Sequence, residues 1–402
     1  MARVGPWGAA LNEYDLLVIG AGPAGAAAAL RGAAQGLRVA LVDRHAFPRN
    51  KLCGGGVTGR ARREAAALLG GTPPDALMEP RGHFEFYADG APLGRIEGVP
   101  PVWMTTRVAF DAHLVEAALD AGAADFTGRP VAEIDPDVPA ATLRDGTRLT
   151  APLMVGADGA TGVVARALHG APPDPERLGF ALEIEAPPAP DAGADAPVRI
   201  DFGAAAWGYG WSFPKSGSTT VGVGGVHARN PSMKAAMRDY LALLDIADEE
   251  ARLQGAFLPF GHFHRRPGRG GVMLAGDAAG LVDPMTGEGI GHALASGRMA
   301  AEAAAQALCG GHPHRALRHY GKALRPMHRS LRYAIFLRHL VYGTRLRDGF
   351  ISAFRRSGRL RYDYMRMLGG ELEYDDIARR ALARLPGLAA RATAARLRPA
   401  RS

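Results

Sequence analysis

With 402 residues and 47% apolar side chains, the chain can build about two or three domains, each with its own core. Its two cysteines, Cys53 and Cys309, lie far apart with no Cys-x-x-Cys pair, which excludes a disulfide framework or a zinc site and fits a reducing compartment. The net charge of +8 is uneven: residues 311–402 hold 21 Lys+Arg against 6 Asp+Glu, leaving the rest of the chain net acidic. No secretory signal is evident and no run of about eighteen uninterrupted apolar residues could span a membrane. The expected location is cytoplasmic, with a peripheral position on the inner membrane face.

The first predicted element is a buried parallel strand, Tyr14 to Ile19, carrying the apolar run Leu16-Leu17-Val18-Ile19. It runs into Gly20-Ala21-Gly22-Pro23-Ala24-Gly25, then an Ala-rich helix to about Gln35, stopped by Gly36. A second strand, Arg38 to Val42, ends at Asp43. Strand, GxGxxG, helix and acid stand in the order that a dinucleotide needs. Gly20 allows the tight turn, Gly22 lets backbone reach a pyrophosphate at the positive end of the helix, and Gly25 packs helix on strand. Asp43 would accept from a ribose hydroxyl.

Ten residues on comes Cys53-Gly54-Gly55-Gly56. A thiol on backbone without side chains can lie close against a ligand ring. A strand pair from about Gly82 to Ile96 then leaves for a second layer, and Met104 to Leu168 returns, with a helix from Phe110 to Ala121. Leu153 to Gly156 reads as another buried strand, ending in Ala157-Asp158-Gly159. After a Pro/Ala/Asp stretch, Ala186 to Pro197, read as an exposed loop, Tyr209, Trp211 and Phe213 alternate and would share one face of a strand. Lys215, after Pro214, reads as a charge at a turn edge, and Thr219 to Val223 as a strand. Val272 to Leu274 is a further strand, entering Gly276-Asp277-Ala278-Ala279; Asp283-Pro284 and Gly287-Glu288-Gly289-Ile290-Gly291 follow. A strand ending in Gly-Asp can offer a carboxylate to ribityl hydroxyls, and the next helix start can turn N–H groups toward an electron-rich ring edge. Glu288 reads as a helix cap. Three separated units suit a longer, bent cofactor better than a nicotinamide dinucleotide.

The trio Gly20-x-Gly22-x-x-Gly25, Gly156-Ala157-Asp158-Gly159 and Gly276-Asp277-Ala278-Ala279 resembles the FAD-dependent aromatic-hydroxylase-type superfamily over roughly residues 14–310. Within it, Lys51-Leu52-Cys53-Gly54-Gly55-Gly56 is similar to the Cys-Gly-Gly loop of the geranylgeranyl reductase family, and Tyr209-Gly210-Trp211-Ser212-Phe213-Pro214-Lys215 to its Tyr-x-Trp-x-Phe-Pro-Lys segment. Two positions depart from the wider pattern: Asp43 stands where many flavoproteins have Glu, and Gly162 where the hydroxylases usually have Ser. The resemblance implies an α/β fold: a Rossmann-like FAD-binding domain (12–80, 104–170 and 268–310), a β-rich substrate domain (81–103 and 171–267) and a basic helical C-terminal region (311–402). It implies FAD held by Gly20, Gly22, Pro23, Ala24, Gly25, Asp43, Arg44, Cys53, Gly54, Gly55, Arg107, Asp158, Gly276, Asp277, Gly287, Gly289 and Ile290.

The activity so implied is reduction of isolated double bonds in a prenyl lipid, quinone or pigment tail by hydride from flavin N5. Cys53 would shape the flavin face or relay a proton, with Tyr209 as the other candidate and Trp211 placing the alkene. Electrons would come from NAD(P)H or, since no second GxGxxG is present for a dedicated NAD(P)H domain, from a ferredoxin-like protein. No metal site is expected. An oxygen-using FAD hydroxylase is the alternative, a flavin halogenase a fainter one, and a non-catalytic flavin-holding adaptor the last. The basic C-terminal quarter suits either an anionic membrane face or a helical cap with solvated arginines. Nucleic acid is not expected, because no recognition motif accompanies the charge.

Overall fold

The protein, seen in a computed structural model, is described for residues 13–377, apart from 171–173, 189–192, 194, 248–251, 261–262 and 344–345. The basic region beyond 377 lies outside the described residues, as do residues 189–192 and 194 of the expected loop.

The described residues build a mixed α/β fold on two large sheets. The first sheet has six strands in the order Gly268–Arg269, Val272–Leu274, Leu153–Gly156, Leu16–Ile19, Val39–Val42 and Ala124–Phe126. All but the first strand pair in parallel. Its central strands are continuous apolar runs because helices cover both faces, so every side chain is buried. Helices Pro23–Ala34 and Ile290–Cys309 meet closely, since each presents small residues: a Cβ on Gly297 would lie 2.0 Å from the Ala24 carbonyl oxygen.

The second sheet has seven strands: Gln254–Leu258, Gly179–Ala186, Thr219–Val226, Tyr209–Pro214, Val198–Phe202, Phe84–Ala88 and Ala91–Ile96. Its neighbours are antiparallel except Val198–Phe202 beside Phe84–Ala88. Leu182, Ile184, Val221 and Val223 pack with helix Met233–Leu243, where the Tyr240 hydroxyl donates to Asp201 Oδ2 at 2.7 Å. On the opposite face, register puts Glu183, Gly222, Trp211, Ile200 and Phe86 in one row across the strands. One end of that face roofs a cavity over the first sheet. The other is sealed by helices Arg325–Tyr342, Arg347–Arg356 and Gly358–Leu368, with Phe86, Phe202, Phe354 and Tyr364 in edge-to-face contact.

A three-stranded sheet joins the halves. Gly56–Val57 and Glu79–Arg81 both pair with Val102–Met104. The helix expected from Phe110 starts one turn earlier, at Arg107, because the Thr106 side chain caps it by accepting from the Ala109 N–H at 3.3 Å. The small antiparallel sheet Val131–Asp135, Ala140–Leu143 and Arg148–Thr150 was not foreseen.

Candidate functional site

A cavity of about 790 Å³ runs between the two sheets, from Asp43 and Arg44 at one end to Tyr209, Trp211 and Phe213 at the other. Its phosphate-facing end follows from local geometry. Gly20 holds a left-handed φ of 98°, and a Cβ there would lie 2.4 Å from the Ala157 carbonyl oxygen. Gly22 precedes Pro23 at the start of the first helix, so the helix N-terminus opens on the cavity without a side chain. The Asp43 carboxylate accepts from the Ala21 N–H and the His45 N–H, both at 2.8 Å, and so ties the Gly-rich turn to the end of the second strand.

Arg49 lies over this turn, its Nη2 3.6 Å from where a Gly22 Cβ would be. It shares the fully buried carboxylate of Asp111 with Arg107, at 3.1 Å for Arg49 and by two 2.7 Å bonds for Arg107. Two guanidiniums therefore face one carboxylate. Arg49 Nη1 is buried without a hydrogen-bond partner, and burial pulls the Arg49 pKa down. Burial opposes the Arg107 charge too, but Asp111 and the adjacent Cys53 thiol outweigh it and hold Arg107 firmly protonated. A surplus buried cation beside a helix N-terminus fits a pyrophosphate, whose oxygens would complete Arg49.

At the other end the Cys53 loop is pinned from two sides. Its backbone N–H donates to Glu183 Oε1 at 2.8 Å. Gly55, at φ 80°, accepts from the Thr105 N–H at 2.9 Å; a Cβ there would lie 2.2 Å from the Thr105 carbonyl oxygen. The same contact sets Arg107, two residues on, beside Cys53. Strand Tyr209–Pro214 presents its three aromatics to the loop. The ring centroids are 5.9 and 6.4 Å apart in succession, and a Cβ on Gly54 would lie 2.8 Å from Phe213. The Tyr209 hydroxyl donates to the Thr286 carbonyl, and burial pushes its pKa well above the usual phenol range. Asp283 accepts through Oδ1 from the N–H groups of Met285 and Thr286 and from the Tyr374 hydroxyl, at 2.8, 3.0 and 2.9 Å. These bonds fix the Thr286–Gly289 turn beneath the cavity. Glu288 accepts from the Gly291 N–H at 2.7 Å and caps helix Ile290–Cys309, whose first residues face the cavity.

Of the residues expected to bind cofactor, Gly20, Gly22, Pro23, Ala24, Asp43, Arg44, Cys53, Gly54, Gly55, Arg107, Asp158, Asp277, Gly287, Gly289 and Ile290 line this one cavity. Gly25 and Gly276 sit behind it as packing positions, against the Gly20 carbonyl and Ala24. Asp158 accepts from the Val164 N–H at 3.0 Å while its Oδ1 stays unpaired, and burial raises its pKa to about 6. Gly162 makes this possible: a Cβ there would lie 2.2 Å from the Asp158 carboxyl. Lys215 departs from its expected place at a turn edge. The turn returns over its own strand, the Lys215 N–H bonding the Ser218 carbonyl, and this buries the ammonium against Glu185 and Thr220.

Arg49 and Glu183 escaped the sequence reading. Arg49 sat in plain view between Asp43 and Cys53, but no spacing rule singles out a cation there. Glu183 and Glu185 are the two acids of the otherwise apolar strand Gly179–Ala186, and an acid in such a strand is itself the signal. Glu183 is 6% exposed, its Oε2 has no partner, and burial raises its pKa to about 7 against the pull of the Cys53 N–H.

Residues 13–182 match the FAD binding domain family. The chain is 33% identical to a menaquinone reductase of Mycolicibacterium smegmatis over 313 residues, covering 72% of this chain and 76% of that one. It is 34% identical to a geranylgeranyl diphosphate reductase of Rhodobacter capsulatus over 323 residues, covering 75% and 77%. The fold matches that of a geranylgeranyl bacteriochlorophyll reductase-like protein of Thermoplasma acidophilum with a TM-score of 0.76, at 20% identity, over 88% of this chain and 96% of that one.

Proposed function

Because the chain belongs to the geranylgeranyl reductase family of FAD-dependent oxidoreductases, we propose that it saturates isolated C=C bonds in the prenyl chain of a lipid, quinone or pigment tail. The observation that carries this reading is the wall of Tyr209, Trp211 and Phe213 facing the Cys53–Gly54 loop within the cavity. Bound and reduced FAD supplies the hydride. Gly20, Gly22, Arg49 and Arg107 suit its pyrophosphate, and the turn ending at Ile290 suits its ring end. The aromatic wall excludes water and lays an apolar chain flat. Electrons come from NAD(P)H or a ferredoxin-like protein, and the substrate reaches the enzyme from an anionic membrane surface.

The test is an anaerobic half-reaction. The FAD-loaded protein is reduced with dithionite and mixed with a geranylgeranyl lipid. The flavin should reoxidise, and the product should gain two mass units per bond with no added oxygen. Reoxidation that waits for air, with an oxygen atom in the product, would establish the hydroxylase instead.

A further inference from the structure

We propose that Glu183 is the acid that protonates the alkene in this reaction, an assignment that rests on the prenyl-reductase reading. Saturating an isolated double bond needs a proton on one carbon as well as a hydride on the other, and three groups near the aromatic wall could supply it. The Tyr209 hydroxyl already donates to the Thr286 carbonyl. The Cys53 sulfur lies beside the Arg107 guanidinium and accepts from the Gly55 N–H at 3.5 Å, so both contacts engage it as an acceptor. Glu183 alone combines burial, a place on the cavity wall and an oxygen, Oε2, with no partner.

Register adds a second, independent argument. Glu183 is paired with Gly222, and Gly222 with Trp211, so the carboxyl and the indole flank a residue without a side chain on one face of the sheet. The indole fills that space: a Cβ on Gly222 would lie 2.3 Å from its ring. The other carboxyl oxygen is fixed by the Cys53 N–H, which orients Oε2 relative to the loop at the ring. Two residues along the same strand face, Glu185 is open to solvent and held by Lys215 at 2.9 Å, giving the proton a route back.

The step balances. The O–H bond of Glu183 breaks and its proton forms a C–H bond with one alkene carbon, using the π pair. Hydride from reduced flavin forms the second C–H bond, the flavin ends oxidised, and the carboxylate takes a proton from solvent. The charged groups acting on Glu183 are Glu185 on the same strand, Lys215 beyond the neighbouring one and Arg107 at its helix start, while Cys53 acts through its neutral backbone N–H. Burial raises the carboxyl's pKa to about 7, which supplies a protonated donor near neutral pH.

The experiment compares the FAD-loaded wild type with Glu183→Gln and Glu183→Asp. Glu183→Gln should keep FAD and its reduction by dithionite, yet reoxidise with a geranylgeranyl lipid at least about a hundredfold more slowly. Glu183→Asp should recover part of that rate with a shifted pH profile. Independently of turnover, infrared difference spectra taken across neutral pH should show a protonated-carboxyl band in the wild type that Glu183→Gln lacks. Turnover of Glu183→Gln within about threefold of wild type, or an unchanged band, overturns the assignment. If Glu183→Gln fails to hold FAD, an unchanged pH profile in Glu183→Asp overturns it. A wild type that leaves the lipid unreduced removes the prenyl-reductase reading as well, which an active Glu183→Gln would not.

Discussion

At the scale of single residues, the site is defined by charges buried out of balance. Arg49 shares one carboxylate with Arg107 and keeps a nitrogen unpartnered. Arg49→Met should therefore weaken FAD binding by about 10- to 100-fold, the loss of one charge-assisted contact, with little change in the stability of the FAD-free protein. Titration of flavin fluorescence measures the affinity, and urea unfolding of the FAD-free protein measures the stability. Glu183 carries the opposite imbalance, and its effect on stability has a definite sign. Its pKa rises from 4.5 to about 7 on folding, so the folded protein binds more protons between those values. The stability it contributes is complete below the lower value and lost as pH climbs through the upper one. Relative to Glu183→Gln, the wild type should lose on the order of 2–3 kcal/mol between about pH 5 and pH 8. Urea unfolding of both proteins at the two pH values reads this directly, and a flat difference means the carboxyl is ionised throughout.

At the scale of elements, the Cys53 loop and the aromatic strand approach so closely that only glycine fits between them. Gly54→Ala would place a methyl 2.8 Å from Phe213 and 3.1 Å from the Trp211 nitrogen. The loop or the rings must then shift by several tenths of an ångström. FAD should stay bound, since its phosphate contacts are elsewhere, while alkene turnover drops at least about tenfold, roughly 1.4 kcal/mol of barrier. Stopped-flow reoxidation with a prenyl substrate checks this, and normal turnover would show that the wall does not place the alkene. The Thr286–Gly289 turn behaves differently. Tyr209→Phe removes one hydrogen bond to it and should cost about 1 kcal/mol of stability, whereas Asp283→Ala removes the acceptor of three and should cost more. Thermal unfolding of the two variants orders them.

At the scale of the whole molecule, the basic C-terminal helices first complete the fold. Phe354 and Tyr364 are buried against Phe86 and Phe202, while Arg347 and Arg361 bond to Asp89 and to the carbonyls of Leu93 and Phe354. What they leave outward is Phe336, 73% exposed, with Tyr333, Arg332, Arg355 and Arg356. No helix among the described residues is long and apolar enough to cross a membrane. Binding to anionic liposomes should weaken steeply as salt shortens the reach of each charge, and reversing Arg355 and Arg356 to Glu should weaken it further. Co-sedimentation at low and high salt decides this. Binding indifferent to both changes would leave these helices as a cap alone.

The sequence by itself determined the cofactor site's framework, because that framework is local. Gly20, Gly22 and Gly25 act within one turn, and Asp43 and Asp277 stand at the ends of strands whose apolar runs announce burial. The alternation of Tyr209, Trp211 and Phe213 likewise carried its own geometry, since side chains two apart on a strand share a face. Tertiary structure alone decided the charge balance. Arg49 and Arg107 are far apart in the chain and meet only across Asp111. Glu183 reaches Cys53 over 130 residues, and its burial depends on a register that sets it two strands from Trp211 with a glycine between. A pKa responds to desolvation and to neighbours brought by long-range packing, and neither is written in any window of adjacent residues.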